Sequence, residues 1–330
     1  MKKLKELRCD FCSKVFNRYE SAIKAKVTED NFCTYECFNN FRKSKTLNQD
    51  FFEIIDTEEK SYWLGFLYAD GHVSKPSRKQ KNVTLGLAPK DSNHVKKFAK
   101  IFNANYGIYS RGKNDPFKIF LCTITSEKMW KDLYNNGFSN NKTTVDSDET
   151  MNFVPDNLFH HFIRGFFDGD GSISMGKKGS IIFNIVGVKS VLERIKKYLL
   201  KKCLINDVNI FPKKNIKYVS VLEWSGIFQL NKIYNVLYKD ATVYLERKKE
   251  RFEIANKRIE KINKNKTSKY RGVCYTGYSY TSTIYNNKKL IQLGCYKNEE
   301  EAAKAYDNAL IELGKPLYKL NFPLNVKKEG

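Results

Sequence analysis

Trp63-Leu64-Gly65-Phe66-Leu67-Tyr68-Ala69-Asp70-Gly71 and Ile163-Arg164-Gly165-Phe166-Phe167-Asp168-Gly169-Asp170-Gly171 match position by position, about a hundred residues apart. Both stretches close apolar segments, 57–70 and 157–170, that read as helices. Gly65 and Gly165 fall mid-helix, where glycine costs about 1 kcal/mol against alanine, so a close approach of the two helices is expected in return. Ala69 and Gly169, four residues on, share that face. Gly71 and Gly171 read as terminating glycines with positive φ. Asp70 and Asp170 then sit in the last turn, at the negative end of the helix dipole. Packing the helices together would bring the two acids close, so a positive partner is required. Hard divalent cations held by carboxylate oxygens meet that need and suit phosphodiester hydrolysis.

Working outward, the segment after each motif repeats as well. Strand-like runs at 82–87 and 181–188 precede amphipathic helices at 92–102 and 191–200. Further strands end at 117–124 and 218–224, and helices at 127–135 and 228–238 close each unit. The expected fold class is therefore α+β, with two pseudo-symmetric αββαββα repeats at 50–150 and 151–245.

The motifs resemble those of the single-chain, two-repeat LAGLIDADG homing endonucleases, over about 50–249. That resemblance implies a β-saddle whose strands lie in the DNA major groove, with Asp70 and Asp170 contributing to shared Mg2+ (or Mn2+) sites. It adds the backbone of Ala69 and Gly169 to the ligand set. Trp63 and Tyr68 depart from the usual Leu and Asp of the first copy, so Asp168, opposite Tyr68, is read as helix support and not as a ligand. A catalytic basic residue after the third helix is also implied, and Lys142 and Lys248 occupy that station. Base contacts from alternate strand side chains are expected, with Arg111, Lys113, Lys118, Asn184, Lys213 and Lys214 as candidates.

Composition agrees with a polyanionic partner. Of 330 residues 59 are Lys or Arg and 36 Asp or Glu, a net charge of +23. No apolar run approaches the roughly 18 residues of a spanning helix. The basic N-terminus lacks the apolar stretch of a secretory signal, so an intracellular protein, cytoplasmic or nucleoid-associated, is expected. The absence of intein splicing residues at Met1 and Gly330 is read as a free-standing or intron-encoded origin in a mobile element.

Cys9 and Cys12 form a CxxC, and Cys33 and Cys37 a CxxxC, which together supply the four thiolates of a structural Zn2+ site. Phe11, Phe16 and Phe32 are expected to form its core, and 1–45 resembles treble-clef-like zinc fingers. Residues 246–266 read as a basic linker helix, since Phe252, Ile254 and Ile259 are too sparse for a core face. The tail, 267–325, reads as three strands and a helix with Ala302, Ala303, Tyr306 and Leu310 inward. Through Arg271-Gly272-Val273, Leu293-Gly294, Glu300-Glu301-Ala302-Ala303, Ala305-Tyr306-Asp307 and Leu320-Asn321-Phe322-Pro323 it resembles the AP2 DNA-binding domain. Arg271, Tyr275, Tyr280 and Lys288 inherit a DNA-contacting role from that resemblance, although Tyr280 and Ser282 replace its Trp and Ala.

The expected function is a monomeric, site-specific endonuclease that breaks both strands of a long DNA site. A non-cleaving binder on the same core, such as an intron maturase or transcriptional regulator, is the alternative. A ribosome-associated structural protein would account for the charge and zinc but not for the paired motif.

Overall fold

The computed structural model describes residues 3–24, 30–44, 46–110, 118–135, 137–138, 153–175, 181–214, 216–264, 267–287 and 289–322. It opens with a hairpin, β1 (Leu4–Arg8) and β2 (Val15–Tyr19), then α1 (Glu20–Lys24) and α2 (Tyr35–Ser44). The first repeat follows as α3 (Glu58–Asp70), β3 (Gly71–Val73), β4 (Asn82–Leu87), α4 (Ser92–Ile101), β5 (Tyr106–Tyr109), β6 (Ile119–Thr125) and α5 (Glu127–Asn135). The second is α6 (Phe159–Asp170), β7 (Gly171–Met175), β8 (Ile181–Gly187), α7 (Lys189–Cys203), β9 (Ile210–Pro212), β10 (Ser220–Ser225) and α8 (Ile227–Leu237). Strand orders β3-β4-β6-β5 and β7-β8-β10-β9 are the same, and every pairing is antiparallel. The α+β class and the duplicated αββαββα order are as the sequence leads one to expect.

Each sheet buries one face under helices and leaves the other open. In β4 the alternation puts Val83, Leu85 and Leu87 inside, and in β10 it does the same for Leu222 and Trp224. Across the open face of the first sheet, the Thr84 and Thr123 hydroxyls lie 3.2 Å apart and Thr125 donates to Asn82 at 2.9 Å. Helix α3 starts at Thr57, whose hydroxyl accepts from the Lys60 nitrogen, with Glu58 and Glu59 in the favourable first turn. From Ser61 to Tyr68 every residue is buried, so α3 is a central helix and not a surface one.

Glycine decides how closely α3 and α6 pack. A Cβ on Gly65 would overlap the Phe162 carbonyl oxygen, and one on Gly165 would overlap the Tyr62 carbonyl oxygen and stand 2.8 Å from the Phe66 nitrogen. One turn further on, a Cβ at Gly169 would collide with the Ala69 methyl. The close approach expected from the mid-helix glycines is thus present, with backbone against backbone at two symmetric points. Gly71 and Gly171 differ from expectation. Their φ values are −78° and −92°, both extended, so neither is a left-handed cap. Glycine is needed there for space instead: a Cβ would lie 2.6 Å from the carbonyl oxygen of Leu67 or Phe167, against the side chain of the same residue.

A further helix, α9 (Glu246–Lys264), corrects the reading of 246–266 as a linker. Phe252 and Ala255 are buried in the same core as both repeats, and Ile259 is buried beside them on the helix. Three apolar residues at intervals of three and four are enough because α8 and β7 cover only a narrow stripe. The tail forms β11 (Val273–Tyr275), β12 (Tyr280–Asn286), β13 (Lys289–Tyr296) and α10 (Glu299–Glu312), in the strand order β11-β12-β13. It has its own small core of Ile284, Tyr306 and Leu310, with Ala302 and Ala303 buried on α10. No helix among the described residues is long and apolar enough to cross a membrane.

Candidate functional site

Asp70 and Asp170 end α3 and α6 side by side. Both are exposed, although the seven or eight residues before Ala69 and Gly169 are buried, so the two helices deliver their last residues to one open surface. The Asp70 carboxylate lies against the second helix: its Oδ2 is 3.3 Å from where a Gly169 Cβ would stand. A larger residue at 169 would push that carboxylate away. Exposed carboxylates and backbone carbonyls at abutting helix ends form a hard-oxygen donor set, which fits a hydrated divalent cation and does not fit a soft one.

Lys248, on α9, supplies the positive charge that a helix C-terminus requires. It is only 3% exposed, and its ammonium donates to the carbonyls of Phe167 (2.7 Å), Gly169 (3.3 Å) and Gly171. One side chain thereby gives a donor to three carbonyls where α6 passes into β7, that of Phe167 also accepting the Gly171 N–H. Burial pulls the Lys248 amine down to about 8, against the opposing pull of Asp168, Asp70 and Asp170. The residue thus lies within the field of both terminal carboxylates. Lys142 lies outside the described residues.

Asp168 is fully buried, apart from the terminal acids. It accepts from Tyr62 (2.8 Å), Tyr238 (2.5 Å) and the Leu245 nitrogen (2.7 Å). Burial holds its carboxyl above the usual range in spite of these donors and Lys248. It therefore joins α3, the end of α8 and the approach to α9, the structural role the sequence assigns to it. Tyr62 also meets His94 Nε2 at 2.9 Å; since the phenol donates to Asp168, it accepts from His94.

Burial, with Lys97 and Arg247 nearby, drags His94 down to about 3, so it is neutral when folded. A histidine whose folded value lies below its ordinary 6.5 stabilises the fold fully above that pH, and this contribution is lost as the pH falls toward 3. His94→Gln should be destabilised at pH 7.5. That deficit should shrink by about 2 kcal/mol at pH 5, because only wild type must keep an imidazole uncharged. Urea midpoints at the two pH values measure this, and a deficit constant with pH refutes it.

Two ion pairs that sequence reasoning missed brace the site. Arg164 is 1% exposed and donates to Val243 O (2.9 Å), Leu237 O (2.8 Å), His161 (2.9 Å) and Glu58 (2.6 Å). Burial raises the Glu58 carboxyl, but the Thr242 nitrogen and the Arg164 guanidinium outweigh it and hold it below the usual range. Arg247 grips Asp91 with two nitrogens, at 2.8 and 3.0 Å, tying α9 to the start of α4. The available signal was the arginine at position 164 inside an apolar motif, which is tolerated in a core only when fully hydrogen-bonded.

At the N-terminus the sulfurs of Cys9, Cys12, Cys33 and Cys37 lie within 4.8 Å of one another. The Cys12–Cys33 and Cys33–Cys37 separations are both 3.5 Å, close to the edge of about 3.8 Å in a tetrahedron with Zn–S bonds of ~2.3 Å. The first pair lies in the β1–β2 turn, where Ser13 takes φ 59°, and Cys37 lies in the first turn of α2. The apolar centre of this segment differs in part from expectation, with Phe32 buried as expected and Phe11 not. Phe11 is 42% exposed, and Phe32 packs instead on Phe38 and Phe41 of α2, at centroid distances of 5.5 and 5.0 Å.

The expected DNA contacts are placed unevenly. Asn184 is on the open face of the second sheet, its amide 3.4 Å from Glu223. Lys118 precedes β6 and Lys213 and Lys214 follow β9, all exposed and beside the strands, not on them. In the tail, Tyr275 and Tyr280 are cross-strand partners whose rings meet at 5.0 Å, tilted by 45°, in register with buried Ser282 and Ile284, hence on the α10 side of the sheet. Arg271 donates to Lys319 O at 3.0 Å, while Asn321 and Phe322 donate backbone N–H groups to Asp307, so the Asn-Phe ending closes the module. Arg111, Lys113 and Lys288 lie outside the described residues.

No protein-family model matches the chain. Among curated proteins, the uncharacterized protein MJ0314 of Methanocaldococcus jannaschii is 23% identical over 175 residues, 50% of this chain and 61% of that protein, so the match spans less than two thirds of the relative. Solved structures similar to the chain include the homing endonuclease I-WcaI bound to its DNA recognition sequence, at 13% identity, 66% of this chain, 94% of that one and a TM-score of 0.44. The LAGLIDADG meganuclease I-AabMI bound to uncleaved DNA is similar at 13% identity, 62% and 91% coverage and a TM-score of 0.42. The LAGLIDADG homing endonuclease I-GzeII in complex with its DNA target matches at 14%, 63% and 93%, with a TM-score of 0.40.

Proposed function

We propose that the chain is a site-specific, divalent-metal-dependent DNA endonuclease that cuts both strands with one aspartate from each repeat. The observation that carries this is the delivery of Asp70 and Asp170, side by side and exposed, by two helices in backbone contact. A buried core pair of helices gains nothing from ending in two adjacent, exposed acids, whereas a cation shared with phosphate oxygens gives that placement a purpose. A Mg2+ ion there would be held by the two carboxylates and the carbonyls of Ala69 and Gly169, and would supply charge compensation and an activated water. Lys248 orients the Gly169 and Gly171 carbonyls and adds a positive charge beside the reacting phosphate. Lys142 is assigned the equivalent station in the first repeat. The charge of +23 supplies the sequence-independent, salt-sensitive part of the affinity.

In this reading 1–45 is a zinc finger, 50–245 the cleavage core with α9 docked on it, and 267–325 an AP2-like module that lengthens the footprint of a monomer. The test is incubation of the purified chain with a library of long random duplexes. With Mg2+ a defined site should be cut on both strands, and a chelator should stop the reaction. Binding of a defined duplex with no cut in Mg2+ or Mn2+ would overturn the catalytic assignment.

The zinc reading has its own measurement. Elemental analysis should find about one zinc per chain, and Cys33→Ser should release it. Because binding and folding of such a site are one process, worth about 10–16 kcal/mol in small fingers, metal loss should open 3–44 to protease while the core persists. A metal-free preparation equally protected there would refute it.

A further inference from the structure

Resting on the endonuclease reading, we infer that the open faces of the two four-stranded sheets are built to read A·T-rich duplex DNA. The observation is an absence in a chain that is otherwise crowded with cations. Although 59 of 330 residues are Lys or Arg, none of the outward-facing strand positions in either sheet, among the described residues, carries one. Alternation along the strands fixes which side chains these are, since their partners across the ladder share the same face.

The open faces carry amides, hydroxyls and apolar groups, with the His72 imidazole and the Tyr109 phenol among them. Asn82 and Asn184 offer amides, and Thr84, Thr123 and Thr125 offer hydroxyls. The remainder is largely apolar: Ile119 and Leu121 on the first sheet, Ile182, Val186 and Val221 on the second, all half-buried. Gly86 lets the first two lie flat across the strand, since a Cβ there would stand 3.0 Å from Leu121 and 3.3 Å from Ile119. The one acid on these faces, Glu223, faces the Asn184 amide.

Each base pair presents a different edge in the major groove. Guanine O6 and N7 are taken in two-point contact by Arg or Lys; adenine N6 and N7 by Asn or Gln; the thymine methyl by apolar groups. Among the described residues, a floor of amides, hydroxyls and apolar groups with one imidazole and no Lys or Arg is complementary to adenine and thymine and lacks the two-point cationic partners of guanine. The cations lie at the rims instead. Arg78 and Lys79 border a cavity of about 500 Å3 beside His72 and Asn82, and Lys118 and Lys213 lie at strand ends. That division gives phosphate contacts to the rim and base contacts to the floor.

The experiment is selection of bound duplexes from random DNA with the full, zinc-loaded chain in buffer without Mg2+ or Mn2+, followed by affinity measurements on the selected sequence with deoxyuridine in place of thymidine. Positions protected by the strands should be enriched in A·T pairs. Removing one thymine methyl should weaken binding about three- to fourfold, and removing several more than tenfold. Val221→Ser should bind the thymidine and deoxyuridine duplexes more nearly alike, and a thermal melt of the variant checks that this half-buried position has kept its fold. G·C-rich selection under the strands, or equal affinity for the two duplexes, overturns the inference. If a G·C-rich site is nevertheless cut, the endonuclease reading stands alone, and if no duplex binds, both fall.

Discussion

Asp70→Asn and Asp170→Asn should each lower Mg2+-dependent cleavage by a thousandfold or more, which corresponds to about 4 kcal/mol of barrier. Binding of the intact duplex by the zinc-loaded chain without Mg2+ should change by less than a few fold. The substitution keeps shape and hydrogen-bonding capacity but removes the charge a hard cation requires. Both residues are exposed, so folding should be indifferent to the change. Asp168→Asn is the informative contrast, two residues earlier on the same helix. Its carboxylate accepts from two phenols and a backbone nitrogen, and an amide would set an N–H against one of these donors. It should therefore lower the unfolding midpoint, at a cost of about 1–3 kcal/mol, while leaving residual cleavage by the folded fraction. Cleavage rates on a fixed duplex, alongside thermal melts, separate the two outcomes. Undiminished cutting by both terminal variants would sink the assignment.

Gly165→Val should prevent the core from folding. The new side chain would start inside the Tyr62 carbonyl oxygen, and a carbonyl on a buried helix cannot swing aside as the tip of a flexible side chain could. Relief requires α3 and α6 to move apart, which would lose the Ala69–Gly169 contact and the backbone approach at Gly65 together. A cost above about 4–5 kcal/mol is expected, enough to unfold a domain of ordinary stability. Gly107→Ala serves as the control, since no atom lies within 4 Å of the added methyl. Denaturant titration should show the control within about 0.5 kcal/mol of wild type. A Gly165→Val midpoint close to wild type would mean that the helices do not pack as described.

Much of this was legible in the residues because it depends on period and repetition. Two copies of one motif, followed by matched strand and helix patterns, led to the duplicated unit, and alternation along 82–87 decided which face is buried. The Cys spacings led to the cluster because four thiolates in a short segment have few other uses. The glycines at 71 and 171 show where such reasoning misleads. Terminating glycines usually serve a left-handed turn, but here they make room for Leu67 and Phe167, and an absent Cβ looks the same in sequence for either cause. Helix α9 was undervalued for a similar reason: a narrow apolar stripe reads as solvated unless its partner surface is known to be equally narrow.

The sequence by itself determined the pairing of Asp70 with Asp170, the position of each at a helix end, and the helix contact through Gly65 and Gly165. These follow from local periodicity and from identity between two segments. Tertiary structure alone decided which charges serve whom. Lys248 reaches the end of α6 from α9, Arg164 bridges to Glu58 and to the 237–243 segment, and Arg247 holds Asp91, all between residues 73 to 156 positions apart. Such pairings depend on the direction in which each side chain leaves its helix and on the exclusion of water around it. Neither is written in the spacing of residues along a chain.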